Sequence, residues 1–173
     1  MKKVFSSFVF LIILAGCTTA GVKNIEYKNF ERTLEVNSQY DDLWGYLLEW
    51  SAVRGFPIAN TNKNDGIMVL RGSGTVTRSF LLSGDGAVID DSLVSCGDPT
   101  GNIGLYKAKF TNLVVDATII LRPVGDKTRV TVNLSGNVGV EVRNGYGVVS
   151  NSQNTCASRG VFEKELFADL KLL

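Results

Sequence analysis

The chain has 173 residues, 18 Lys and Arg against 17 Asp and Glu, a formal net charge of +1 and no histidine. The lack of histidine removes the Ser-His-Asp and Cys-His nucleophile systems and the His-based zinc sites, and the balanced charge directs the chain neither to nucleic acid nor to an anionic lipid surface. A hydrophobic content of 45% with 20% charged residues is that of a globular chain long enough for one domain with a real core.

Met1-Lys2-Lys3, the apolar run from Val4 to Leu14 and the small pair Ala15-Gly16 make a basic n-region, an h-region and a cleavage site. The run is shorter than the roughly 20 apolar residues that cross a bilayer, and Ser6 and Ser7 interrupt it. Residues 1–16 therefore read as a signal peptide. Leu14-Ala15-Gly16-Cys17 resembles the lipobox of bacterial lipoproteins. That resemblance implies cleavage before Cys17, a diacylglycerol on its thiol and acylation (palmitate) of the new amine. The alternative is an ordinary secretory signal cut near Ala20-Gly21, with Cys17 discarded. Several acyl chains, at about 0.8 kcal/mol per buried CH₂, hold a protein at a bilayer essentially permanently. Thr18 stands where an aspartate marks inner-membrane retention in Gram-negative lipoproteins. The resemblance thus implies an outer-membrane, lipid-anchored protein on the periplasmic side, in a cell taken as Gram-negative. Without residues 1–16 the chain keeps 157 residues, 16 of them basic and 17 acidic.

With Cys17 acylated, Cys96 and Cys156 remain as an even pair in an oxidising compartment, and one disulfide between them is expected. Its loop of about 60 residues would restrict the unfolded chain by roughly 4 kcal/mol in the chain-entropy model. Free or catalytic thiols would want a C-x-x-C spacing or a basic neighbourhood, and neither is present.

Residues 17–30 read as a lipidated tether with no sustained period, and residues 31–173 as the single domain. A short strand is expected over 31–37. Ser38 with Asp41 three residues on suggests an aspartate variant of the capping box. Tyr40, Leu43, Trp44, Leu47 and Ser51 then recur on one helical face, flanked by Leu48 and Trp50. Gly55 ends this helix and Pro57 prevents its resumption. Ile58, a polar turn at Asn64-Asp65-Gly66 and the run Ile67 to Leu70 predict a hairpin. The alternating Asn60, Asn62 and Asn64 do not make an EF-hand loop, because the sixth place is Asp65 and the twelfth Arg71.

Residues 73–83 suggest a further strand, and the "GSG" within them lacks the Gly-Lys-Ser/Thr of a phosphate loop. Residues 84–106 read as a solvated loop. Its Asp85, Asp90, Asp91 and Asp98 show no ligand spacing, so no metal or other cofactor is expected. The clearest β signal follows. Leu113, Val115, Ala117, Ile119 and Leu121 alternate with polar residues, Gly125-Asp126 makes a two-residue turn, and Val130, Val132, Leu134, Gly136, Val138, Val140 and Val142 alternate again. A bend without a one-residue bulge is expected at Gly136. Residues 143–157 read as turn-rich. Phe162, Leu166, Leu170 and Leu173 predict a final helix with Ser158 as its cap, and Glu163 and Glu165 as a solvated pair near its positive end. The element order implies α+β architecture, an antiparallel sheet with helices packed on one face.

The order "YDDLWGYLLEW", "GFPI", "NDGIMVL", long alternating hairpin and closing helix resembles the helix-grip domains of small outer-membrane lipoproteins, of which the BamC type in β-barrel assembly is one. That family carries a long unstructured N-terminal segment and two such domains, whereas this chain has a short tether and one domain. The resemblance implies a helix-grip-like fold and an envelope protein as partner, and it transfers no functional residues. Three functions are weighed. The first is a periplasm-facing, membrane-anchored lipoprotein acting as a protein-binding or envelope-assembly accessory module. The second is a carrier or sensor for a small apolar ligand, with Trp44 and Trp50 as candidate lining. The third is an enzyme, which is not expected, because neither paired carboxylates nor a Ser-Lys arrangement forms a motif.

Overall fold

The computed structural model describes residues 19–77, 80–83, 88–89, 93–101 and 106–173, with side chains described outside 73–92. Residues 1–16, Cys17, Thr18, Asp85, Asp90 and Asp91 lie outside the described residues. In chain order the elements are β1 (Gly21–Lys23), β2 (Thr33–Val36), α1 (Tyr40–Val53), β3 (Ile58–Asn62), β4 (Ile67–Thr77), β5 (Phe80–Ser83), β6 (Val88–Ile89), β7 (Val94–Ser95), β8 (Asp98–Thr100), β9 (Lys107–Val124), β10 (Lys127–Asn144), β11 (Gly147–Ser158) and α2 (Val161–Leu170). Among the described residues, nine strands form one antiparallel sheet in the order β6-β5-β4-β9-β10-β11-β7, with β3 added to β4 and β2 to β10. β1 and β8 pair separately. The architecture is α+β, as the element order implied.

The sheet is built on the β9–β10 hairpin. Its alternation is the one read from the sequence: Leu113, Val115, Ala117, Ile119 and Leu121 are buried, and so are the even residues from Val130 to Val142. Gly125 and Asp126 form the two-residue turn, with Gly125 at φ 63, the positive φ that the first place of a type II′ turn requires. Registry runs unbroken across Gly136. The irregularity lies instead on the partner strand, where Thr111 and Asn112 together oppose Gly139. A side chain at Gly139 would collide with them, since its Cβ would lie 2.1 Å from Thr111 Oγ1. This bulge moves the inward set of β9 from odd to even positions, so Phe110 faces Val140. On the outer face, the opposed pairs Arg71/Asp116 and Arg129/Glu35 carry opposite charges and are hydrogen-bonded at 2.7 and 2.8 Å, which favours this register.

Both helices contribute to one core cluster with the inward residues of the sheet. Leu43, Trp44, Leu47, Trp50 and Ser51 form the buried face of α1. The helix ends in a Schellman motif, as Gly55 foretold: Phe56 N–H donates to the Ser51 carbonyl and Gly55 N–H to the Ala52 carbonyl. Its start differs from the capping-box expectation. Gln39 is the N-cap, and the Ser38 hydroxyl donates to the Gln39 carbonyl instead of accepting from the helix. In α2, Phe162, Leu166 and Leu170 are buried as expected, joined by Glu163 and Phe167, while Leu173 lies past the helix end and is exposed. Gly160, not Ser158, is the N-cap of α2.

Cys96 and Cys156 form a disulfide. Cys156 lies opposite Gly136, where a side chain would meet the cystine, its Cβ 3.1 Å from Cys156 Cβ. The bridge therefore clamps the β7–β8 segment over the sheet at β11.

Two further sequence expectations are corrected. Residues 143–157 hold the end of β10 and all but the last residue of a 12-residue strand, β11, paired with β10 from Ser135 to Asn144. Its polar residues from Ser150 to Thr155 alternate between half-buried and exposed and lack an apolar period; backbone pairing and the disulfide hold the strand. Residues 19–30 are not a free tether. Ala20 N–H donates to Ser150 Oγ at 3.2 Å, β1 pairs with β8, Glu26 N–H donates to Ser95 Oγ, and Phe30 lies over Gly160.

Gly66 closes the β3–β4 turn at φ 57, and a Cβ there would sit 2.3 Å from the Leu121 carbonyl oxygen. Gly66→Ala is expected to destabilise the protein by about 2 kcal/mol or more. Gly45→Ala, in mid-helix with nothing within 4 Å of the new methyl, should stabilise it by about 0.5–1 kcal/mol. Urea unfolding of the two variants beside the parent measures both.

Candidate functional site

β3 offers a partner an open strand edge. Among the described residues this strand pairs with β4 alone, so one of its edges is unpaired, and all five of its residues, Ile-Ala-Asn-Thr-Asn, are exposed. It carries no charge, one of the devices that commonly blunt such edges. β3 runs into a surface groove of about 640 Å³ bounded by Tyr40 and Asp41 at the start of α1, the turn from Lys63 to Gly66, and Leu121 to Pro123 at the end of β9.

The turn is locally determined. The Asn62 side-chain oxygen accepts from Asp65 N–H at 3.2 Å, and Gly66 makes the close approach to β9. Three contacts hold its position. The Tyr40 hydroxyl donates to the Lys63 carbonyl, Arg122 donates to the Asp65 carbonyl, and Lys63 Nζ pairs with Asp41 at 2.7 Å. The Lys63–Asp41 pair is exposed and contributes little to stability. The groove therefore presents charges of both signs beside an unpaired strand edge, a surface suited to a polar, extended polypeptide.

The tryptophans considered as ligand lining belong to the core. Trp44 is 6% and Trp50 7% exposed. The Trp50 ring stacks on Phe56 at 5.7 Å and meets Phe162 edge-on at 5.8 Å. Its indole N–H donates to Asp169 at 2.8 Å, and Arg54 pairs with the same carboxylate at 2.7 Å. The Trp50 hydrogen bond, with help from Arg54, holds the Asp169 carboxyl below the usual range against the opposing effect of burial. Burial, followed by the charge of Asp169, raises the Tyr46 hydroxyl. These groups clip α1 to α2.

Glu163 is not the solvated residue expected from its place near the helix start. It is fully buried, whereas Glu165 is exposed. The Ser158 hydroxyl donates to its carboxylate at 2.8 Å and Leu134 N–H at 3.4 Å, and Gly160 N–H in turn donates to Ser158 Oγ. Leu134 sits on the edge of β10 between the end of its pairing with β2 and the start of its pairing with β11. The carboxylate thus fills a gap in the backbone ladder. No sequence signal distinguished this glutamate from its neighbour, because the requirement arises on a strand 29 residues away.

Asp98 is bound by the Asn24 side chain at 2.8 Å, and no cluster of three or more His, Cys, Asp or Glu among the described residues is placed to hold a metal ion. No helix among the described residues is long and apolar enough to cross a membrane. Compared with protein-family models, curated proteins and solved structures, the chain has no match.

Glu163→Ala leaves two buried donors without an acceptor and is expected to cost about 2–3 kcal/mol; Glu163→Gln keeps one acceptor oxygen and should recover most of that loss in urea unfolding. For Asp169 the folded-state pKa lies below the unfolded value. Its contribution is therefore present above the unfolded carboxylate pKa and is lost as pH falls through the folded value. Asp169→Asn should lower the melting temperature at pH 7, with the gap from the parent narrowing in strongly acidic buffer.

Proposed function

We propose that the chain is a lipoprotein held through acylated Cys17 in the outer membrane on its periplasmic side, with a helix-grip-like domain that serves as a protein-binding accessory module of the envelope. The observation that carries the binding role is the exposed, uncharged, unpaired edge of β3 running into a polar groove. An extended segment of an envelope protein laid along β3 gains main-chain hydrogen bonds from the edge, while the groove contacts its flanking polar side chains. The anchor rests on the basic, apolar and small-residue succession that ends in Leu14-Ala15-Gly16-Cys17. The role is one of binding and not of catalysis, in keeping with a sequence that contains no histidine.

A photocrosslinking side chain at Thr61, on the exposed edge, should give a discrete protein adduct in intact cells, and one at Glu165, on the exposed side of α2, should not. Adducts from both positions alike, or from neither, would remove β3 as the contact.

A further inference from the structure

We propose that the tip of the β10–β11 hairpin is a membrane-contact element, in which Tyr146, Val148 and Val149 rest on the phospholipid surface beside the anchor; the inference relies on the acylation of Cys17 proposed above.

The path of the N-terminal segment carries it. Glu26 N–H is bonded to Ser95, which pairs with Ala157 of β11. Ala20 N–H is bonded to Ser150 of the same strand. Read from Glu26 back to Ala20, the chain thus travels along β11 from its end toward the hairpin turn. Ser150 lies opposite Val142, close to that turn at Gly145 and Tyr146. The three residues from Ala20 back to Cys17 span at most about 11 Å. The four positions from Ser150 to Tyr146 correspond to about 13 Å of strand. A lipid on Cys17 cannot lie far from the tip, so the bilayer surface and the tip share one end of the molecule.

The chemistry at that end suits a phospholipid surface. Tyr146 is fully exposed, and Val148 and Val149 are nearly half exposed. A tyrosine ring with valines beside it favours the headgroup level, where the ring is buried and the hydroxyl stays wet. Directly behind the tip, Arg143 and Lys107 oppose each other across β9 and β10. Like charges placed opposite each other destabilise a ladder, and a row of phosphates would relieve them. In the next outward pair, Glu141 opposes Lys109, and Glu141 also accepts from Arg143 at 3.0 Å. Lys109 and Arg143 thus share this one acid, and Lys107 adds a third base to the patch. Each exposed base near an anionic surface adds on the order of 1 kcal/mol of attraction, and such a patch supplements an acyl anchor.

The test uses the full chain, extracted from membranes and reconstituted into vesicles of phosphatidylethanolamine and phosphatidylglycerol with brominated acyl chains. Trp44 and Trp50 supply a common buried background, so fluorescence of the Tyr146→Trp variant is read as a difference from the parent. At least twofold quenching of that difference is expected, with Val124→Trp, beside the β9–β10 turn at the far end of the hairpin, unquenched. Absence of quenching in Tyr146→Trp while the protein still floats with the vesicles would overturn the contact and leave the anchor standing. Equal quenching of the two variants would overturn the orientation. Loss of flotation, with no acyl mass on Cys17, would bring down the anchoring reading and this inference together.

Discussion

The length of the β9–β10 hairpin is the constraint on which the remaining structure depends. Two strands of 18 residues each, about 55 Å long if straight, present more edge than any short neighbour can pair. The β10 edge is consequently shared between elements, while β4 pairs the β9 edge. Along β10, β2 covers one stretch and β11 another. Between them Val132 N–H finds the Arg32 carbonyl and Leu134 N–H finds the Glu163 carboxylate. Buried backbone donors are seldom left unpaired, so the path of the chain before β2 and the seat of α2 both answer to this gap. Along the outer edge of β4, β3 and β5 divide the pairing in the same way.

The same length separates two ends with different chemistry. At the β9–β10 turn stand the start of α1, the β3–β4 turn and the polar groove, tied by Thr128 Oγ1 donating to the Ser38 carbonyl at 2.8 Å. At the other end are the β10–β11 tip, the β1–β8 ladder and the chain leading back to Cys17. Under the proposed anchoring, the groove end of the domain projects away from the membrane and the apolar tip faces it. Membrane attachment and partner binding then use opposite ends of one rigid hairpin.

The most regular elements were the most legible. β9 from Leu113 to Leu121 and β10 from Val130 to Val138 alternate because one face is buried and the other is not, and α1 announces itself by its apolar face and by Gly55. β11 was hidden because its stability comes from backbone pairing and from Cys156, and neither leaves an apolar period in "SNSQNT". Ser38 and Ser158 both looked like helix caps from their positions. In the folded chain the first donates to the Gln39 carbonyl and the second to the Glu163 carboxylate. The groove was invisible in the sequence, since Tyr40, Lys63 and Arg122 approach each other only when α1, β3 and β9 pack.

Local chemistry was therefore enough to determine the α+β class, the long hairpin with its turn at Gly125-Asp126 and the end of α1, because each depends on periodicity or on neighbours a few residues apart. Net charge argued against any attraction to an anionic surface, yet folding places Lys107 beside Arg143 and lays residues 19–26 toward the same tip. The exposed edge of β3, the burial of Glu163 and the docking of the supposed tether were likewise decided by tertiary structure. Each of them turns on which distant backbone groups are left without a partner, and that is settled only when the strands take their order in the sheet.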